Sequence, residues 1–283
     1  MKKQNSEKIA IIALTRGYDG DLSKYSDLIK RNNLIFKNIQ LSSSYDVKII
    51  LFHEGNISDK DQNYIINNTN GQIYFVDVHE VFNIYPGIDG YKIMCKFQMY
   101  YLWDYVSDYD YVIRIDEDIF IEKFDNEIIE KMKNKNIEFY FSKLSYESHI
   151  PTNNTLPNFI KEIYNLKNTK FYNHMFPYTN FYITKTNIWQ QSSIKNKLNK
   201  IATFPDQEEF RWGDLPVLGS FINIENFKSK RMGGLMYYHS SHNILVRNNI
   251  FSYVFEYLHY KRFINMYPNI FKILKNTLKL FRS

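Results

Sequence analysis

The sequence is poor in cysteine: Cys95 is the only one in 283 residues. An internal disulfide is excluded, and the chain reads as built for a reducing compartment. Long apolar runs are missing as well, none approaching the roughly 18 to 20 residues that span a bilayer. The opening stretch from Met1 to Lys8 is polar and lacks the apolar centre of a signal peptide. These absences predict a soluble, cytoplasmic protein. A skew in the balance of apolar and charged residues is absent too, since 44% of residues are hydrophobic and 23% charged, ordinary for a globular protein. Disordered, collagenous and low-complexity classes are therefore excluded, and the chain is long enough to bury a full core.

Charge is unevenly placed. Lys and Arg total 36 against 30 Asp and Glu. From Tyr257 onward there are Lys261, Arg262, Lys272, Lys275, Lys279 and Arg282 and no acid, so residues 1 to 256 are formally neutral. The basic excess belongs to a tail. A nucleic-acid-binding domain spreads basic charge over a face of its fold, so that partner class is not expected. Aromatics are abundant, with 24 Tyr and 22 Phe. They fit stacking on sugar rings, but Lys, Asn and Ile are inflated alongside them, and coding bias alone accounts for that. The Asn-x-Ser/Thr triplets at Asn56, Asn67 and Asn153 carry little weight in an Asn-rich chain.

Along the chain, Lys8 to Leu14 is a continuous apolar run, as for a strand covered on both faces. Leu22 to Leu41 has Leu28, Ile35, Phe36 and Ile39 between charges and predicts an amphipathic helix. Val47 to Phe52 and Ile73 to Val78 predict further strands, and Met94 to Val106 an aromatic-rich helix. Strands alternating with helices imply an α/β fold with a mostly parallel sheet. One domain is expected over 1–249, followed by a tail over 250–283. Within the tail Ile270, Leu274, Leu278 and Phe281 form an apolar stripe beside Lys272, Lys275, Lys279 and Arg282. That pattern fits either a helix lying on an anionic membrane surface or one docked on the main domain.

The strand expected over Tyr109 to Ile115 ends abruptly in Asp116-Glu117-Asp118. Carboxylates at i and i+2 share a side while the chain stays extended. Three acids with no base beside them repel one another unless a cation intervenes. Hard oxygen ligands suit Mg²⁺ or Mn²⁺, which commonly carry substrate phosphates. A solvated acidic turn is the alternative. Further on, Glu208 to Pro216 interleaves charges with Trp212 and reads as a rigid loop or as a helix start with Asp214 as N-cap. His239 and His242 stand three apart; on a helix they could share a metal, and a structural histidine is the alternative.

Separated segments together resemble the fungal α-1,2-mannosyltransferases of glycosyltransferase family 15. Tyr91-Lys92-Ile93-Met94-Cys95-Lys96-Phe97 stands for the family's Tyr-Arg-x-Met-Cys-Arg-Phe. Arg114-Ile115-Asp116-Glu117-Asp118 stands for Arg-Val-Glu-Pro-Asp, and Phe210-Arg211-Trp212-Gly213-Asp214-Leu215-Pro216-Val217 for Glu-Arg-Trp-Gly-Asp-x-Pro-Val. Tyr238-His239 matches a later Tyr-His pair. The resemblance runs from about Ile9 to His242 and implies a single-domain GT-A-like (Rossmann-type) fold, GDP-mannose as donor, Mn²⁺ and transfer with retention. It implies Asp116, Asp118 and His239 at the metal. Arg16, Tyr91, Lys92, Arg114 and Asp116 would lie on the donor side, and Arg211, Trp212 and Asp214 on the acceptor side. The acceptor would be a glycan or lipid-linked sugar.

Two departures bear on mechanism. The family's Asn-Phe-Glu, whose Glu is its candidate nucleophile, is Asn180-Phe181-Tyr182 here, and the Glu of the Trp-Gly-Asp segment is Phe210, with Glu209 one place earlier. Tyr182, Glu209 and Asp214 are the catalytic candidates, and a front-face mechanism is compatible with a tyrosine at 182. The competing reading is a nucleotide-sugar- or carbohydrate-binding module on a decayed transferase fold.

Overall fold

The computed structural model describes residues 6–248. The chain divides into two compact units, residues 1–246 and 247–283. The striped segment from Ile270, and with it the expected membrane contact, lies outside the described residues. No described helix is long and apolar enough to cross a membrane.

Strands in chain order are β1 (Lys8–Thr15), β2 (Asp46–His53), β3 (Ile73–Asp77), β4 (Tyr111–Ile115), β5 (Ile119–Lys123) and β6 (Phe139–Phe141), then β7 (Leu144–Tyr146), β8 (Met175–Pro177), β9 (Phe181–Lys185), β10 (Ser229–Arg231), β11 (Met236–His239) and β12 (Ile244–Arg247). Seven form the main sheet, in the order β10-β6-β9-β4-β1-β2-β3. The β1–β2, β2–β3, β1–β4 and β6–β10 pairings are parallel, while β9 runs antiparallel to both β4 and β6. The sheet is thus mixed and mostly parallel, as the α/β reading expects. Smaller sheets pair β12-β11-β5 and β7-β8.

The apolar run of β1 is explained by its position. Ile9, Ile11 and Ala13 enter one core cluster, with Leu28 and Ile35 of the helix Ser26–Asn38. Ala10 and Ile12 enter another, with Ile93, Phe97, Met99 and Trp103. Side chains alternate across a strand, so only a continuous apolar run can fill both layers.

Two helices differ in detail from expectation. The first opens with a 3₁₀ turn, Leu22–Tyr25, before the α-helix Ser26–Asn38. The second begins earlier, at Gly90, where Asp89 accepts a hydrogen bond from the Tyr91 N–H as its cap. Its course is α over Gly90–Lys96, π over Phe97–Tyr101, and α again over Leu102–Tyr105. A π turn carries an extra residue, which rotates the side chains that follow it, and such turns gather at functional sites.

Candidate functional site

β1 and β4 are parallel neighbours in mid-sheet, so the turns after them meet at the same edge. Ligands of open α/β sheets bind at these carboxyl ends. Here the edge opens into a cavity of about 950 Å³. It is lined by Arg16 and Tyr18 after β1, by Asp116, Glu117 and Asp118 after β4, and by His239 to His242 after β11. Tyr91, Arg211 and Asp214 complete the wall on the other face of the sheet.

The turn after β1 needs Gly17. A Cβ there would lie 1.8 Å from the carbonyl oxygen of Asn56, whose side chain accepts the Gly17 N–H at 2.9 Å. This contact holds the loop that carries Arg16. Arg16 reaches Glu117 at 3.6 Å, and Glu117 also accepts a hydrogen bond from the Thr15 hydroxyl at 2.7 Å.

The acidic turn is not the uncompensated cluster that the sequence implies. Each acid has a basic or polar neighbour. Arg114, two residues before Asp116 on the same face, contacts its carboxylate at 3.0 Å and reaches Asp214 at 2.5 Å. Burial opposes a charge on Arg114, but Asp116 and Asp214 outweigh it and hold the guanidinium above its ordinary pKa. Burial pushes the Asp116 carboxyl up to about 6, with Asp214 and Asp118 adding and Arg114 opposing. Burial also raises Asp118, but hydrogen bonds from His239 and Ser241 prevail and bring it down to about 2.

His239 is brought to Asp118 by the β11–β5 pairing, in which it faces Ile119. Its Nε2 lies 3.1 Å from Asp118 Oδ2, and its Nδ1 lies 3.2 Å from the carboxamide of Asn180. Asn180 also accepts the Asp116 backbone N–H through its carbonyl at 3.0 Å. One residue therefore ties the histidine to the acidic turn. His242 stacks edge-on to His239 with ring centroids 4.5 Å apart, on the turn after a strand and not on a helix.

Among the described residues no group of three or more His, Cys, Asp or Glu is arranged to hold a metal. What the structure offers is a pair of donors, Asp118 Oδ2 and His239 Nε2. One carboxylate oxygen and one imidazole nitrogen would fit a divalent ion that leaves its other positions to oxygen ligands from outside the chain. Ligation through Nε2 requires the proton on Nδ1, and Asn180 accepts it once its carboxamide oxygen faces the ring.

Several expected site residues lie elsewhere. Tyr182 is fully buried beneath Arg114, its cross-strand partner, and its ring packs on Phe139. Its hydroxyl has no hydrogen-bond partner and does not line the cavity. Glu209 is exposed and outside the cavity, while Glu208 pairs with buried Lys96 at 2.5 Å. Trp212 is buried, donates to Thr155 Oγ1 at 2.8 Å and stacks on Phe204, so it supports the wall from behind. Lys92 is half-buried and away from the lining. Asp214 is the first helical residue of Asp214–Ile224, with Gly213 at the N-cap position. Its carboxylate serves Arg114 instead of capping. Arg211 does reach the cavity, held at φ 52° between two helices with its guanidinium 5.3 Å from the Tyr91 ring.

The sequence reading missed Asn180 as a tether, and also Gln98, Tyr178 and Ser241 in the lining. For Gln98 a signal existed: it is the lone amide in the apolar stretch from Phe97 to Trp103.

No protein-family model matches the chain. A glycolipid 2-α-mannosyltransferase of Saccharomyces cerevisiae is 29% identical over 155 residues, covering 47% of this chain and 34% of that protein. The chain thus matches about a third of that relative's length. Among solved structures, core-mannan synthase A from Aspergillus fumigatus, in its Mn/GDP form, superposes with a TM-score of 0.65 at 16% identity, covering 82% of this chain and 74% of that one. The mannosyltransferase Ktr4p from S. cerevisiae gives 0.63 at 14% identity, covering 83% and 71%.

Proposed function

From the GT-A fold of this chain and its distant relationship to the α-1,2-mannosyltransferases of glycosyltransferase family 15, we propose that it is a glycosyltransferase. On this reading it moves mannose from GDP-mannose to a hydroxyl of a glycan or lipid-linked acceptor, with Mn²⁺ or Mg²⁺ bound. The observation that carries the proposal is the meeting of Asp116, Asp118, His239, Arg114 and Asp214 in one cavity at the carboxyl edge of the sheet.

Asp118 and His239 would hold the divalent ion, with Asp116 beside them. When bound there, the ion would supply neutralisation of the negative charge on the departing diphosphate. Arg16 faces the nucleotide from the β1 turn. Arg114 fixes Asp116 and Asp214 in a single arrangement, which preorganises the floor on which the sugar rests. Arg211 and Tyr91 form the rim where an acceptor enters.

Of the three catalytic candidates, Tyr182 and Glu209 lie outside the cavity and the Asp214 carboxylate is engaged by Arg114, which favours a reaction without a protein nucleophile at the anomeric carbon. The reaction on this reading is a front-face displacement. The bond from the anomeric carbon to the phosphate oxygen breaks, the bond to the acceptor oxygen forms on the same face, and the acceptor proton passes to the departing phosphate. Configuration is retained.

Calorimetry with GDP and UDP, with and without Mn²⁺, tests the site. Metal-dependent binding of GDP, tighter than that of UDP, is expected. Absence of binding by either nucleotide would overturn the proposal. The positions of Tyr182 and Glu209 favour a second reading, a binding module without turnover, which nucleotide binding without release of GDP from GDP-mannose would support.

A further inference from the structure

Nine buried side-chain atoms among the described residues lack a hydrogen-bond partner, and one of the side chains that carry them lines the cavity. It is Gln98, 2% exposed, with its carboxamide Oε1 unpartnered. Its neighbours in sequence, Phe97 and Met99, are fully buried in the apolar cluster that also takes Ile93 and Leu102. A buried polar group without a partner costs roughly 1 to 3 kcal/mol, and an apolar side chain of equal length would avoid that cost. Gln98 therefore opposes the stability of its own surroundings. Its setting on the π turn, at the wall of the cavity, is where a group kept for binding belongs.

The chemistry of the missing partner is constrained. Phosphate oxygens carry no hydrogen at neutral pH to give to a carbonyl, so the diphosphate does not satisfy Oε1. A hydroxyl donates and accepts, and so satisfies a carboxamide in either orientation. Position then chooses among the hydroxyls of a nucleotide sugar. The helix Ser26–Asn38 packs on one face of the sheet and contributes Asp27 and Leu28 to the cavity; the Gly90–Tyr105 helix packs on the opposite face, with Tyr91, Met94 and Gln98. The Asp116–Asp118 turn lies at the sheet edge between them. With the nucleotide on the side of Arg16 and Tyr18, the sugar extends towards Gln98 and Asp214.

We infer that Gln98 is a specificity-determining residue whose carboxamide hydrogen-bonds a hydroxyl of the transferred sugar. The inference rests on the reading of the cavity as a nucleotide-sugar site. It separates the sugar from the nucleotide, so the two claims can fail independently.

The test compares wild type with Gln98→Met, an unbranched apolar replacement of similar length, in titrations with GDP and with GDP-mannose in Mn²⁺. Thermal unfolding of both proteins is followed in parallel, and Gln98→Leu serves as a second variant. Expected is a melting temperature equal to or above wild type, GDP affinity within about twofold, and GDP-mannose affinity lower by about tenfold, the size of one lost hydrogen bond. Equal weakening of GDP and GDP-mannose would move Gln98 to the nucleotide side and overturn the assignment. Unchanged affinity for both, with or without lost stability, would make the carboxamide structural. If wild type bound neither ligand, the nucleotide-sugar reading itself would fall. If it bound both and the variant discriminated between them as expected, both claims would stand.

Discussion

At the scale of single residues, Tyr182 shows how position in a motif and position in space diverge. The resemblance would put it in the place of a family carboxylate, yet it is buried under Arg114 with an unpartnered hydroxyl. Removing an unpartnered buried hydroxyl removes a desolvation cost and leaves the ring in place. Tyr182→Phe should therefore keep its transfer activity within a few-fold and unfold at equal or slightly higher denaturant. A thousandfold loss of turnover would return the hydroxyl to the reaction. Asp118 is the opposite case. It sits on a turn, its carboxylate receives hydrogen bonds from Ser241 and His239, and its removal opens no core cavity. Asp118→Ala should fold and lose metal-dependent GDP binding by tenfold or more. His239→Ala should lose less, because diphosphate and water complete the coordination. Titrations of Mn²⁺ in the presence of GDP read both effects.

At the scale of elements, the site depends on an ion pair between β4 and the helix Asp214–Ile224, residues a hundred positions apart in sequence. Arg114→Met leaves Asp116 and Asp214 without their cation. Stranding the buried carboxylate of Asp214 in this way costs about 3 kcal/mol or more, with Asp116, which is partly exposed, adding less, so the urea midpoint should fall sharply; a midpoint near wild type would mean that solvent already screens the pair. The same helix is seated by Gly219, where a Cβ would lie 2.3 Å from the Phe176 ring of β8. Gly219→Ala should destabilise by about 1 to 3 kcal/mol through overpacking, measured by the same unfolding curve.

These elements also show what could be read in advance. β1 and β2 were legible because both are apolar along their centres, and a strand between two helical layers admits little else. The acidic turn was legible from its abrupt charge at a strand end. Half of its compensation also lies in the sequence. The rule that i and i+2 share a face of a strand applies to Arg114 and Asp116, whereas the chain turns between Asp116 and Asp118. The other half, Asp214 and His239, comes from distant elements and emerges only from sheet pairing. Trp212 and Lys92 were drawn into the site by neighbouring motif residues. Side-chain direction within each element decides otherwise.

At the scale of the whole molecule, the parallel strands bring separate turns to one edge, and the small β12-β11-β5 sheet adds His239 from the far end of the fold. Arg16, the acidic turn, Asp214 and His239 are thereby placed around a single cavity, and its walls come from both faces of the sheet. On the proposed reading the diphosphate would lie at the edge, with a pocket to either side of it. The most direct test is release of GDP from GDP-mannose by the full chain, followed over time in Mn²⁺ with a mannoside acceptor present. GDP should appear in proportion to enzyme, cease when the metal is chelated, and be lost in Asp118→Ala. GDP-mannose that stays intact with metal and acceptor present, or GDP released at the same rate by Asp118→Ala, would contradict the account.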